Sequence, residues 1–258
     1  MTSYKTTDEI WAIIPARGGS KSIPYKNLFS LKGHSLIEYQ YRAAQKSGCI
    51  ERIFCSTEDA KIANHCLDLG MEIHNRPVEL ATDEANVVDA IIHLLQEAAA
   101  KGENLPLAIA LLQPTSPFLL PEHIASCVSA IKNCTTSASS QTIAELPHNY
   151  HAYNQREVGD NVVQFHFLEE RKRCYNKQSK PKFYSFGNLV ITKTEALLGN
   201  QGVFAAPSVP VVIPRVNAFD LDGPDDIAIA EAYIDSGTVK LNHINNTSST
   251  EQIKSGTE

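Results

Sequence analysis

Between residues 10 and 133, short apolar runs alternate with stretches of helical spacing, and that alternation admits very few folds. The run "IWAIIPA" at 10–16 is short, apolar and stopped by Pro15 and a glycine pair, so it reads as a buried strand. Residues 35–47 turn helical, with Ser35 as N-cap and Gly48 as the stop. "RIFCS" (52–56) and "MEIHN" (71–75) are two further strands. Between them a helix over 58–69 puts Ile62, Ala63, Cys66 and Leu67 on one stripe. Residues 87–100 place Val88, Ile91, Ile92, Leu95 and Ala98 at i, i+3, i+4 spacing. "LAIALLQ" (107–113) is apolar on both faces, as at the centre of a parallel sheet. Pro121 opens a helix over 121–133. The alternation predicts an α/β fold with a doubly wound, mostly parallel sheet. Such sheets bind ligands beyond the carboxyl ends of their strands. The loops 17–27 and 113–118 are therefore where a site is expected.

The pattern breaks over 145–186, which is aromatic, charged and without helical period. It reads as an extended, β-rich excursion suited to a subunit interface or a lid. Strands resume at 188–193 and 209–214, and Pro224 opens a last helix over 224–235. The polar segment 237–258 reads as a disordered tail. The expected unit is thus one domain over 8–236, excursion included. With 258 residues the chain can bury a sizeable core without disulfide or metal staples.

Formal net charge is −6, which argues against a whole-surface role on nucleic acid or anionic membrane. The polar start is no signal peptide, and no run of about 18 apolar residues occurs. Six cysteines lie scattered without CxxC spacing, which suits reduced, mostly buried thiols in a cytoplasmic protein and no zinc site of theirs.

Basic residues concentrate locally. Arg17, Lys21, Lys26 and Lys32 follow the first strand with no acidic residue between Arg17 and Ile37. Gly18 and Gly19 let the backbone turn N–H groups on an anion. Arg17, Ser20, Lys21 and Lys26 add donors suited to phosphate. A surface loop with solvated cations is the alternative. The loop is neither a Walker A loop nor GxGxxG. Near the other end, Asp220 and Asp222 occupy alternate positions, so on an extended chain both point one way. That suits a hard cation such as Mg²⁺, and a solvated turn is the alternative.

The run "IIPARGGSKSIPYKNL" resembles the opening signature of the CMP-sialic acid synthetases, the N-acylneuraminate cytidylyltransferases. "STEDAKIANHCLDLG", "RPVELATDEANVVDAIIHLL", "LLQPTSPFL" and "FDLDGPDDIAIAE" match further family segments in order, from about residue 10 to 235. The resemblance implies a Rossmann-like nucleotidyltransferase fold and transfer of CMP from CTP to an acidic nine-carbon sugar, with release of pyrophosphate. It places Arg17, Gly18, Gly19, Ser20, Lys21 and Lys26 around the CTP phosphates, with Arg17 and Lys26 in catalytic roles. Asn27 and Arg76 would lie near the cytidine. Helix capping for Asn27 and a surface ion pair for Arg76 are the alternatives. Gln113, Lys177 and Gln178 would meet the sugar. Asp220 and Asp222 would hold Mg²⁺ or another divalent cation. Family members pair through the excursion, so a homodimer is expected.

Some residues depart from the family. Lys177 stands where arginine is usual, and lysine cannot make arginine's bidentate pair with a carboxylate. Ser22, Leu119, Lys180 and the pair Gly187-Asn188 also differ, and they point to an altered acceptor side. Two other readings stay open: a nucleotidyltransferase acting on a sugar phosphate, and a non-catalytic nucleotide-binding regulator.

Overall fold

The computed structural model describes residues 4–20 and 23–245. In chain order its strands are β1 (Ile10–Pro15), β2 (Ser30–Leu31), β3 (His34–Ser35), β4 (Arg52–Thr57), β5 (Glu72–Asn75), β6 (Ala108–Leu112), β7 (Ser139–Glu145), β8 (Arg156–Gly159), β9 (Val162–Phe165), β10 (Tyr184–Lys193) and β11 (Ser208–Val212). The helices are α1 (Leu36–Ser47), α2 (Ala60–Asp68), α3 (Val87–Ala100), α4 (Pro121–Asn133), α5 (Leu168–Arg173), α6 (Thr194–Leu198), α7 (Pro224–Asp235) and α8 (Asn242–Asn245).

Seven strands form the main sheet in the order β11-β7-β10-β6-β1-β4-β5. β1 pairs in parallel with both β4 and β6, while β10 runs antiparallel to β6 and β7. The mostly parallel, doubly wound α/β prediction holds. From β1 the chain winds first to β4 and β5, then returns to β6 on the other side. The crevice beyond the carboxyl ends of β1 and β6 is therefore the topological switch point, where such sheets place ligands.

Both faces of the sheet are buried, as the apolar strands require. Along β1, Ile10, Ala12 and Ile14 enter one core with α1 and α4, while Trp11 and Ile13 enter the other with α3. α1 and α2 begin where polar side chains satisfy first-turn N–H groups. Ser35 Oγ accepts from Glu38 N at 3.2 Å, and Asp59 Oδ1 accepts from Ile62 N at 2.9 Å. Gly48 ends α1 at φ 66, the left-handed conformation that glycine adopts without strain.

Four sequence expectations need correction. The stripe on α2 is narrower than predicted, because Leu67 is exposed while Ile62 and Cys66 are buried. On α3 the buried face is Ala90, Ile91, Leu94, Leu95 and Ala98, with Val88 and Ile92 at its margin. The excursion is not β-rich throughout. Between the end of β7 and the start of β10 its strands are the hairpin β8–β9, turned at Asp160 and Asn161 with φ 51 and 61, residue types that tolerate this conformation. The rest is α5 and 3₁₀ turns, with His151, Tyr153 and Phe183 packed ring against ring. Finally, residues 237–245 are not a disordered tail. Val239, Leu241 and Ile244 are buried against Leu36, Tyr39 and Phe118, an apolar triad hidden among polar residues. Residues 246–258 lie outside the described residues.

Candidate active site

A cavity of about 500 Å³ opens at the switch point, the size of a small-molecule site. Pro15, the last residue of β1, and Arg17, Gly19 and Ser20 directly after it supply one wall. Gln113, Pro114 and Thr115 supply another, directly after β6. Lys26, Asn27 and Arg76 complete the polar lining, and Leu80, Ala85 and Val87 add apolar surface. Both expected loops thus meet at one crevice.

The predicted residues do not all stand alike. Arg17 Nη1 lies 2.7 Å from Asp83 Oδ1, an ion pair on the cavity wall. Asn27 caps no helix; its Nδ2 donates to the Arg17 carbonyl oxygen at 3.0 Å and braces the loop. Arg76 is no surface ion-pair residue. It is buried, its Nε donating to Ser56 Oγ at 3.0 Å and its Nη2 to the Ser56 carbonyl oxygen at 2.6 Å. Burial lowers its pKa, and the nearby Glu58 carboxylate opposes that shift.

Gly18 departs from its expected role as an anion donor. Its N–H already donates to Glu58 Oε1 at 2.8 Å, and it does not line the cavity. A Cβ there would lie 2.6 Å from Asp59 Oδ2, whereas one at Gly19 would meet nothing within 4 Å. So Gly18 fits the loop against the start of α2, and Gly19 faces the cavity. Lys21 and Ser22 lie outside the described residues.

Lys26 joins the two distant halves of the sequence. Its Nζ donates to the Leu221 carbonyl oxygen at 3.2 Å and lies 3.6 Å from Asp222 Oδ1. Leu221 N donates to the Thr115 carbonyl oxygen at 2.7 Å, which fixes the Asp220–Asp222 segment beside the loop after β6. Asp226 Oδ2 accepts from the N–H groups of Asp222 and Gly223, so the start of α7 shapes that segment. Asp222 is largely exposed. Asp220 keeps exposed surface as a residue, yet protein atoms crowd its carboxyl. Lost hydration raises its pKa first and Asp222 adds to that, while the Thr115 contact and Lys26 pull it down.

Lys177 and Gln178 are not brought to the cavity. They lie exposed on a 3₁₀ turn of the excursion. Two departures from the family also change meaning. Leu119 is fully buried in the core beside α4. Asn188 is buried too, its Nδ2 donating to the Asn217 carbonyl oxygen at 2.7 Å, its Oδ1 accepting from Thr142 Oγ1 at 3.1 Å. Gly187 is needed there because a Cβ would lie 2.5 Å from Thr142 Oγ1. Neither position is an acceptor-side surface, which corrects that part of the sequence reading. Sequence reasoning missed Glu58, Asp83 and Thr115, although each falls in or beside a segment that matches the family.

The cytidylyltransferase family model matches residues 11–206. The chain is 29% identical over 231 residues to the CMP-N,N'-diacetyllegionaminic acid synthase of Legionella pneumophila, covering 88% of this chain and 96% of that one. It is 28% identical to the N-acylneuraminate cytidylyltransferase of Escherichia coli, covering 86% of this chain and 51% of that protein. Its fold is shared with a CMP:2-keto-3-deoxy-manno-octonic acid synthetase solved with CTP, at TM-score 0.66 and 12% identity, covering 89% and 99% of the two chains.

Proposed function

We propose, from the premise that this chain belongs to the cytidylyltransferase family, that it transfers CMP from CTP to an acidic nine-carbon sugar. The observation that carries this reading is the convergence at the switch-point cavity. Arg17, Ser20 and Lys26 offer anion donors, and the segment bearing Asp220 and Asp222 is tied to it through Lys26. Gln113 lines the same cavity and is a candidate for the sugar.

In this reaction the anomeric hydroxyl of the sugar attacks the α-phosphorus of CTP and gives up its proton to solvent. One P–O bond forms, the bond to the β-phosphate oxygen breaks, and pyrophosphate leaves. The protein's part is to position the reactants and neutralise charge. Arg17 and Ser20 bind phosphate oxygens, and Lys26 stabilises charge at the α-phosphate. Arg76, held by two hydrogen bonds to Ser56, orients the cytidine. The donor set at Asp220 and Asp222 fits a hard divalent cation, since two close carboxylates repel and oxygen ligands suit Mg²⁺. Bound there, Mg²⁺ would supply charge neutralisation for the triphosphate and departing pyrophosphate.

The exposed Lys177 and Gln178 serve the sugar of a neighbouring subunit in a homodimer. The excursion favours this arrangement, because Val158, Val162, Val163 and Tyr175 are all exposed on it. The free thiols suit a cytoplasmic site of action. Pyrophosphate release measured over a panel of nucleotides and acceptors tests the proposal. Turnover is expected with CTP and an acidic nine-carbon sugar. Turnover only with sugar phosphates would establish the alternative acceptor that Lys177, in place of arginine, leaves open.

A further inference from the structure

We propose that His74, His93 and Glu97 form a binding site for a Zn²⁺-class divalent cation, separate from Asp220 and Asp222. One ligand atom from each of the three lies within 4.8 Å of the others. His74 stands on β5, while His93 and Glu97 lie four residues apart on α3, so helix periodicity aims both at the strand. His74 Nε2 is 2.8 Å from His93 Nδ1 and 3.7 Å from Glu97 Oε2.

In a tetrahedral zinc site with bonds of about 2.0 Å, neighbouring ligand atoms sit about 3.3 Å apart. The two rings need to open by about half an ångström and the carboxylate to close by a similar amount. The buried ring is already oriented from behind, because His74 Nδ1 lies 2.9 Å from Ser56 Oγ. Metal-bound histidines are commonly held in this way through the second nitrogen. The same Ser56 Oγ accepts from Arg76 Nε at 3.0 Å, so the site backs directly onto the nucleotide cavity. Two imidazoles and one carboxylate favour a borderline metal, while Mg²⁺ and Ca²⁺ prefer all-oxygen sets. Without metal, one ring donates its N–H to the other; on binding, that proton moves to the second nitrogen of the same ring, so both rings bind as neutral imidazoles. Glu97 is partly exposed and gives access from solvent.

The test is titration of the metal-free full chain, without a histidine tag, with Co²⁺ in excess Mg²⁺. One equivalent should bind with the visible spectrum of a low-coordinate, nitrogen-ligated site. His93→Gln should weaken binding at least about tenfold, and Asp222→Asn should leave it unchanged. Should His93→Gln not fold, Glu97→Gln carries the same comparison. No cobalt spectrum, binding indifferent to these substitutions, or binding lost in Asp222→Asn would overturn the proposal. A cobalt–thiolate band would also overturn it, by assigning the metal to a cysteine.

Discussion

Arg17 Nη1 and Asp83 Oδ1 meet at 2.7 Å on the wall of the cavity, so the side chain proposed above to bind phosphate is engaged by a carboxylate. An incoming triphosphate must compete with that carboxylate. Both side chains are partly exposed, and pairs of this kind contribute about 0.2–1 kcal/mol. Asp83→Asn should therefore tighten CTP binding roughly 1.5- to 5-fold in the absence of sugar. Calorimetry measures this directly, and weaker binding would make Asp83 a ligand for the nucleotide.

The neighbouring glycines should separate stability from binding. Gly18→Ala drives a Cβ to 2.6 Å from Asp59 Oδ2, the side chain that caps α2. Loss of such a cap costs about 0.5–2 kcal/mol, so the melting temperature should fall by several degrees. Gly19→Ala meets no atom within 4 Å and should leave stability nearly unchanged. Any loss it causes should appear in CTP affinity. Equal melting temperatures for the two variants would refute the assignment.

Two buried histidines set a pH dependence of stability. Burial pushes His123 and His243 down to about 4. The unfolded chain titrates them near about 6.5, so between these values it binds more protons than the folded chain, and stability rises with pH. The contribution is complete above about pH 6.5 and is lost as pH falls toward about 4. Urea unfolding at pH 7 and pH 5 should differ by roughly 2 kcal/mol per histidine. A flat profile would mean that these rings are not held neutral.

Asp222→Asn should abolish nearly all Mg²⁺-supported turnover and leave the fold intact. The side chain is 80% exposed, so its removal disturbs no core. Circular dichroism checks the fold, and pyrophosphate release checks turnover. Activity within a few-fold of the parent would remove the metal role.

Much of this site was legible because strand endings carry local signals. The apolar run before Pro15 and the run before Gln113 each fix where a parallel strand stops, and the cavity opens there. Pro121 and Pro224 each start the predicted helix. What stayed hidden depends on long-range packing. Nothing local shows that the Gly18 N–H is taken by Glu58, or that Asn188 is buried between Thr142 and Asn217. The same is true of Val239, Leu241 and Ile244, whose polar neighbours mask a short apolar face that docks on α1.

The sharpest division expected is between Arg17 and Lys177. Arg17 lines the cavity, whereas Lys177 lies exposed on the excursion. Removing one charged hydrogen bond to a bound anion costs roughly 1.5–3 kcal/mol, about a ten- to hundredfold weakening. Arg17→Ala should weaken CTP binding by that factor without any sugar present, reduced slightly by the Asp83 contact it also removes. Lys177→Ala should leave CTP affinity unchanged and raise the acceptor KM, more for acidic sugars than for neutral ones. If Lys177 works across a subunit interface, sedimentation should show a dimer at micromolar concentration. Mixing Lys177→Ala with Arg17→Ala should then restore part of the turnover, because in a mixed dimer one of the two sites would regain both side chains. A monomer, or no recovery on mixing, would return Lys177 to an ordinary solvated lysine. An equal loss of CTP affinity in Lys177→Ala would instead place it in the nucleotide half of the site.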